Sequence, residues 1–293
     1  MNSYDKEIYF HLPGIFEHAP LYVQLLKECS EHPDYFKDNA CIGSIYGAPG
    51  GIWNGGRLLK NNQRSKEDME NIEKVYSSCE VPIRFTFTNP LIVGNLVYDA
   101  YCNLVLDIFN TGNNEILCNS EELETYLRNK YGDNYRYISS TTKRLTTKDE
   151  QTEEINKDYY LVVLDYDHNK DFEYLESIED KSKCEILVNP VCRSNCPKRV
   201  EHYMNIAKCQ LENIDNVMSC PFNSVKEYYL TKQQDNYISP EMINEVYIPM
   251  GFKHFKIEGR TSHPLDIIEM LVDYLVKEEY KLEIRQKLQV LFV

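Results

Sequence analysis

The feature that most constrains this chain is its alternation of strand-like and helix-like segments. Short strand patterns fall at residues 8–12, 40–46, 83–89, 115–119, 135–140, 160–165, 184–189 and 254–258. Helical patterns lie between them at 21–29, 67–77, 96–109, 121–130, 171–179, 198–211 and 240–247. A last, long one starts at Pro264 and runs to about residue 287, with Leu265, Ile268, Leu271, Val272 and Leu275 at helical spacing. Parallel neighbours need a long crossover, and a helix supplies it. Eight such units in 293 residues predict an α/β fold, a single (β/α)8 TIM-like barrel over 1–293, incomplete or distorted forms included. An open doubly wound sheet is the alternative.

The polar faces of three strands favour the closed form. In the run from Ile83 to Thr88, Ile83, Phe85 and Phe87 share one face, while Arg84, Thr86 and Thr88 share the other. Lys256 and Glu258 lie together on another strand, as do Glu185 and Asn189. An open parallel sheet covered by helices is apolar on both faces. A barrel holds charges inside if they pair, so Arg84, Glu185, Lys256 and Glu258 are expected to do so.

Composition narrows the class. With 32 basic and 46 acidic residues the net charge is −14, which argues against a general nucleic-acid surface. No run of about 18 apolar residues exists, so no membrane span is expected. Residues 1–7 carry no basic start followed by an apolar stretch, so no signal peptide and a cytoplasmic, reducing location are expected. Ten cysteines there read as free thiols or metal ligands rather than disulfides. Five of them, Cys184, Cys192, Cys196, Cys209 and Cys220, fall within 37 residues. Residues 146–158 read as a solvated loop or surface helix, and 220–239 as a segment crossing the barrel mouth.

Three constellations could carry chemistry. After the strand ending at Asn189, a loop places Cys192 and Cys196 ahead of a helix that starts near Pro197. The helix N-terminus, Arg193, Lys198 and Arg199 would lower a thiol pKa there. Arg199 shares a helix face with His202 and Tyr203. Thiolates of this kind suit iron–sulfur clusters or zinc; reduced thiols without metal are the plainer alternative. The second constellation runs from Ile45 to Arg57, has five glycines and the only tryptophan, and offers Asn54 and Arg57 as ligand contacts. The third is the strand end at Phe255–Arg260, where Glu258 stands at a catalytic position and Arg260 follows. Asn89, Asn119, Ser140, Asp165, Asp167 and Asn189 ring the same end, as ligand contacts or as loop caps.

The segment from Glu185 to Cys196, then His202-Tyr203, Cys220, Ile238-Ser239-Pro240 and Phe252-Lys253-His254-Phe255-Lys256-Ile257-Glu258-Gly259-Arg260 resembles the collagenase-like peptidase family of unknown catalytic type, a peptidase U family. The run Phe255–Arg260 is its most specific part. The resemblance covers about residues 160–293 best. It implies an α/β barrel and, in several members, a [4Fe–4S] cluster on four cysteines used in oxygen-independent hydroxylation of a ubiquinone precursor or of RNA bases. Other members are described as collagenolytic peptidases. Cys192 and Cys196 match the family's cysteine pair at a shorter spacing, and Cys220 matches the third position. The fourth position reads Gln234-Asp235-Asn236-Tyr237, which leaves Cys209, His202, Cys41 or Cys118 as the remaining ligand.

The resulting expectation is an iron–sulfur barrel with metal ligands Cys192, Cys196, Cys220, Cys209 and His202, catalytic Glu258, and substrate contacts from Asn54, Arg57, Asn89, Asn189, Arg199 and Arg260. Zinc is the alternative metal. A peptidase or other hydrolase is the alternative activity, and a non-enzymatic binding scaffold is the third reading. The substrate is a small molecule, RNA or a peptide, with a redox or protein partner allowed.

Overall fold

The structure is a computed structural model that describes residues 7–59, 63–222 and 227–292. Residues 1–6, read above for a leader, and 223–226 of the mouth-crossing stretch lie outside it. Eight parallel strands close in sequence order: β1 (Ile8–Pro13), β2 (Ala40–Gly47), β3 (Ile83–Phe87), β4 (Glu115–Cys118), β5 (Arg136–Ser139), β6 (Leu161–Val163), β7 (Cys184–Leu187) and β8 (His254–Lys256). β8 pairs with both β7 and β1, so the closed (β/α)8 form is the observed one. Each predicted strand overlaps one of these.

The helices α1 (Ala19–Glu31), α2 (Lys66–Ser77), α3 (Ala100–Ile108), α4 (Glu121–Tyr131), α5 (Lys148–Ile155), α6 (Phe172–Ser177) and α7 (Arg199–Glu212) follow β1 to β7 in turn. Local chemistry starts several of them. Ser65, Asp99, Ser120 and Asp171 each accept a backbone N–H at the first turn, and Thr147 with Glu150 forms a capping box that makes α5 a helix in the polar 146–158 stretch. Outward strand residues such as Phe85, Phe87, Ile116 and Ile186 join the apolar layer between barrel and helices.

Beyond α7, the chain forms α8 (Tyr228–Thr231), then α9 (Pro240–Met242), a π turn (Ile243–Tyr247) and α10 (Ile248–Met250). The π turn lies just ahead of Pro249, which brings no N–H to the helix ladder. The single long helix expected from 264 is instead two, α11 (Pro264–Leu275) and α12 (Lys281–Gln289). The break is tertiary: Val276 is extended and bridges Phe36, while Lys37 N–H bonds Leu275 O and Lys277 N–H bonds Tyr35 O. No helix of the described residues is long and apolar enough to cross a membrane.

Inside the barrel the polar strand faces meet as expected, with one exception. Arg84 is fully buried and donates to Glu115 (2.7 Å), to both oxygens of Glu185 (2.6 and 2.8 Å) and to His11 Nδ1 (2.8 Å). His11 Nε2 lies 3.1 Å from His254 Nδ1, and Lys256 Nζ lies 3.7 Å from Glu185. Glu258 does not join this network; it pairs with Arg57 at the mouth. A separate apolar cluster of Leu117, Ile138, Leu161 and Val163 fills the opposite wall.

Arg84→Met leaves Glu115 and Glu185 with only the longer contacts to Arg136 (3.5 Å) and Lys256 (3.7 Å), so it is expected to cost about 3–5 kcal/mol in urea unfolding, against under 1 kcal/mol if the network contributes nothing. Burial pushes His254 down to about 4, so the unfolded chain takes up this proton at higher pH than the folded one. For Glu185, burial acts to raise the pKa, but Arg84 and Lys256 outweigh it and hold the group below the usual carboxylate range. In both cases the unfolded state binds more protons. Unfolding free energy should therefore fall as pH drops from 7 through 4, and a flat profile would contradict this.

Candidate active site at the barrel mouth

The carboxylate of Glu258 is the best-anchored functional group at the C-terminal end of the barrel. It lies two residues past β8, and Asn189, two past β7, clamps its backbone from both sides. Asn189 Nδ2 donates to Glu258 O at 2.9 Å, and Glu258 N–H donates to Asn189 Oδ1 at 2.7 Å. The carboxylate then accepts from Val191 N–H at 2.9 Å and from the Arg57 guanidinium. Asn189 is fully buried, so it positions Glu258 rather than facing solvent.

The glycine-rich loop brings Arg57 there. A Cβ on Gly55 would lie 2.3 Å from the carbonyl oxygen of Thr88, so only glycine lets this loop lie against the end of β3. Asn54 and Asn89, expected as ligand contacts, are both fully buried and brace the loop. Asn54 Nδ2 donates to Arg57 O (2.6 Å) and Gln210 Oε1 (3.0 Å). Asn89 Nδ2 donates to Ile52 O (3.0 Å) and Ala207 O (3.1 Å). Trp53 fills the space beneath and donates to Leu96 O.

Two cavities meet at Glu258. The inner one, about 90 Å³, lies in the barrel and is lined by Tyr46, Thr86, Lys256 and Arg260 among others. The outer one, about 380 Å³, lies against α7 and is lined by Cys192, Arg199, His202 and Cys220 among others. Arg57, Tyr166, Tyr203 and Glu258 line both. Tyr166 and Tyr203 place their hydroxyls 3.1 Å apart. Burial, with the nearby Glu258 charge, pushes Tyr203 up to about 12, so its phenol stays protonated at neutral pH. Arg260 donates to Thr86 and to Gly55 O. A larger groove of about 890 Å³ lies between α1 and α2, where Cys29, Cys41 and Cys79 share its wall with Val23, Leu26 and Val81; the carboxylate, guanidinium and phenol groups converge at the mouth, so the site is placed there.

Arg199 is almost fully buried. Asp167 holds it at 2.8 and 3.0 Å, Arg193 O accepts from it at 2.6 Å, and its guanidinium stacks 4.2 Å above the Tyr166 ring. It positions Tyr166. Asp165 and Asp167 also pair with Arg144, and Asn119 bonds Thr142, so this part of the expected polar ring is spent on the loops themselves.

The cysteines are brought together only in part. Cys192, His202 and Cys220 line the outer cavity. Cys196 is buried, and Cys209 is buried on α7 outside the cavity wall. Cys41 starts β2, at the far end of the barrel from the mouth, and Cys118 is packed in the outer apolar layer, so neither supplies a fourth ligand. Among the described residues, no three His, Cys, Asp or Glu side chains are gathered to hold a metal ion. As arranged, the set does not fit a four-ligand cluster. The expected acidic thiol is also corrected. Burial pushes Cys192 up, against the pull of Arg199. Lys198 is paired with Glu201, and Arg193 lies over the Phe222 ring.

Lys256, Tyr166 and Tyr203 were not singled out as site residues from sequence. The available signals were the two-residue spacing of Lys256 and Glu258 on one strand face and the four-residue spacing of Arg199 and Tyr203 on one helix face.

No family model matches the chain. An uncharacterized protease of Methanocaldococcus jannaschii is 27% identical over 130 residues, which is 42% of this chain and 38% of that protein's length. A solved U32 peptidase superposes with a TM-score of 0.53 at 12% identity, covering 86% of this chain and 92% of that one, a likeness of fold.

Asn189→Ala removes both clamps on Glu258 and leaves buried backbone groups unpaired. It should cost about 1–3 kcal/mol in chemical unfolding. A change below about 0.5 kcal/mol, within the range of ordinary surface substitutions, would show that the clamp is dispensable.

Proposed function

We propose, from the collagenase-like (U32) peptidase family that the relative and the structural neighbour support, that the barrel mouth is a hydrolytic site for a carboxylate-bearing, peptide-type substrate. One observation carries this reading: Glu258 stands at the seam of two cavities together with a guanidinium and two phenols. In the resting arrangement Arg57 neutralises Glu258. A substrate carboxylate that engages Arg57 frees Glu258 to accept a proton from the water that attacks the scissile carbonyl and to pass it to the amine nitrogen as the C–N bond breaks. The Tyr203 and Tyr166 hydroxyls, protonated at neutral pH, donate to the oxyanion that forms on the attacked carbonyl. Val191 N–H and the Asn189 clamp keep the Glu258 carboxylate aimed at the seam.

A second reading rests on Cys192, His202 and Cys220 lining the outer cavity. It makes the chain an iron–sulfur or zinc protein with a redox or oxygen-independent hydroxylation role, and it requires those side chains to close on one another. Catalytic zinc would need three ligands and an open position.

Peptide-library digestion read by mass spectrometry separates the two. Glu258→Gln should lower turnover by about 10²–10⁴-fold, while Cys192→Ser leaves it within about threefold. Loss of activity in Cys192→Ser, with iron and sulfide found after anaerobic purification, would replace the hydrolytic reading by the metal-bearing one.

A further inference from the structure

The inner cavity holds more positive charge than negative. Arg57, Lys256 and Arg260 line it against the single carboxylate of Glu258. Arg260 is 6% exposed and, among the described residues, has no carboxylate within ion-pair distance; Glu17 acts on it only through space. Lys256 is equally buried, and its one ion-pair contact, Glu185 at 3.7 Å, is already taken by both donors from Arg84 Nη1. Among the described residues its ammonium makes no hydrogen bond, and it lies 4.3 Å from the Tyr46 ring centre. Buried cations without full counter-charge call for an anion. The hydrolytic reading gives Lys256 no task.

We propose that Lys256 is a nucleophilic amine that condenses with the carbonyl carbon of a small oxo acid whose carboxylate lies against Arg260. The neutral amine attacks the carbonyl carbon, a C–N bond forms, and the carbonyl π pair moves to oxygen, which takes a proton. Loss of that oxygen as water, with one further proton taken from solvent, leaves a protonated imine on Nζ. Amine, carbonyl and one proton give the protonated imine and water, with no redox change. The small cavity, about 90 Å³, favours a ligand of a few carbons.

The surroundings prepare the amine. Burial pushes Lys256 down to about 8; Arg84 and Arg260 push the same way, while Glu185 and Glu258 oppose them. At pH 8 the neutral fraction is then on the order of a hundredfold above that of an ordinary surface lysine. This is the desolvated lysine beside other cations that amine catalysis needs.

The test is reductive trapping on the full chain, using glyoxylate and cyanoborohydride, with peptide mapping by mass spectrometry. A reduced adduct is expected on Lys256. It should saturate with glyoxylate, rise in rate through about pH 8, and be suppressed by excess acetate, which carries the carboxylate without the carbonyl. Arg260→Gln should raise the half-saturating concentration at least tenfold. Labelling of exposed lysines with Lys256 untouched, or Lys256 labelling that is linear in glyoxylate and indifferent to acetate, overturns the proposal. The readout is an adduct rather than turnover, so it stands or falls apart from the hydrolytic reading.

Discussion

A single buried guanidinium ties the barrel together from within. Arg84 on β3 reaches Glu115 on β4, Glu185 on β7 and His11 on β1, so one side chain binds four strands across the lumen. Burying it is costly, and the cost is offset only because two carboxylates and a neutral imidazole take its donors. Burial holds His11 well below its ordinary value, which keeps that imidazole neutral and able to accept. The consequence is felt at the other end of the lumen. Glu185 is satisfied by Arg84, so Lys256, above it on β8, is left with a distant and shared counter-charge. One guanidinium facing two carboxylates at the base, and three cations facing one carboxylate at the mouth, are two sides of one arrangement.

The lumen is also divided from side to side. Leu117, Ile138, Leu161 and Val163 close the β4–β6 wall with apolar packing. Above Glu115 at the start of β4, the charged groups lie on β3, β7 and β8 and on the loops that follow β2 and β8. The inner cavity lies under the glycine-rich loop, with Leu117 of the apolar wall and the Ser140–Thr142 loop on its other side, and the outer cavity lies against α7. Gln210 of α7 ties those two elements together through Asn54, Gly51 and Leu59, which fixes the roof of the site as firmly as its floor.

Much of this was legible in the sequence. The alternation of periods gave eight strands and their closure, because each polar inward residue needed a lumen to point into. Glu258 and Arg260 were legible as mouth residues from strand-end position, and Arg57 as a clamp from the glycine-rich loop that carries it. Asn54 and Asn89 were misread as ligand contacts, since an amide at a strand end looks the same whether it meets a ligand or braces a loop. The long last helix was overextended because nothing local marks Val276; its break comes from Phe36, distant in sequence. The charges near Cys192 are visible in sequence but its burial is not, and burial is the larger effect. Lys256 was read only as half of an ion pair, because a sequence shows that Glu185 is near but not that Arg84 has claimed it.

The claim on which the rest depends is that the inner cavity is built to receive a carboxylate. The most direct measurement is a high-resolution crystal structure of the protein grown with a small dicarboxylate such as malonate, compared with one grown without it. The account predicts a carboxylate within hydrogen-bonding distance of Arg260 and Lys256, with Arg57 turned from Glu258 toward the second carboxylate. An inner cavity that holds only water at saturating malonate, with the Arg57–Glu258 pair intact, would contradict it.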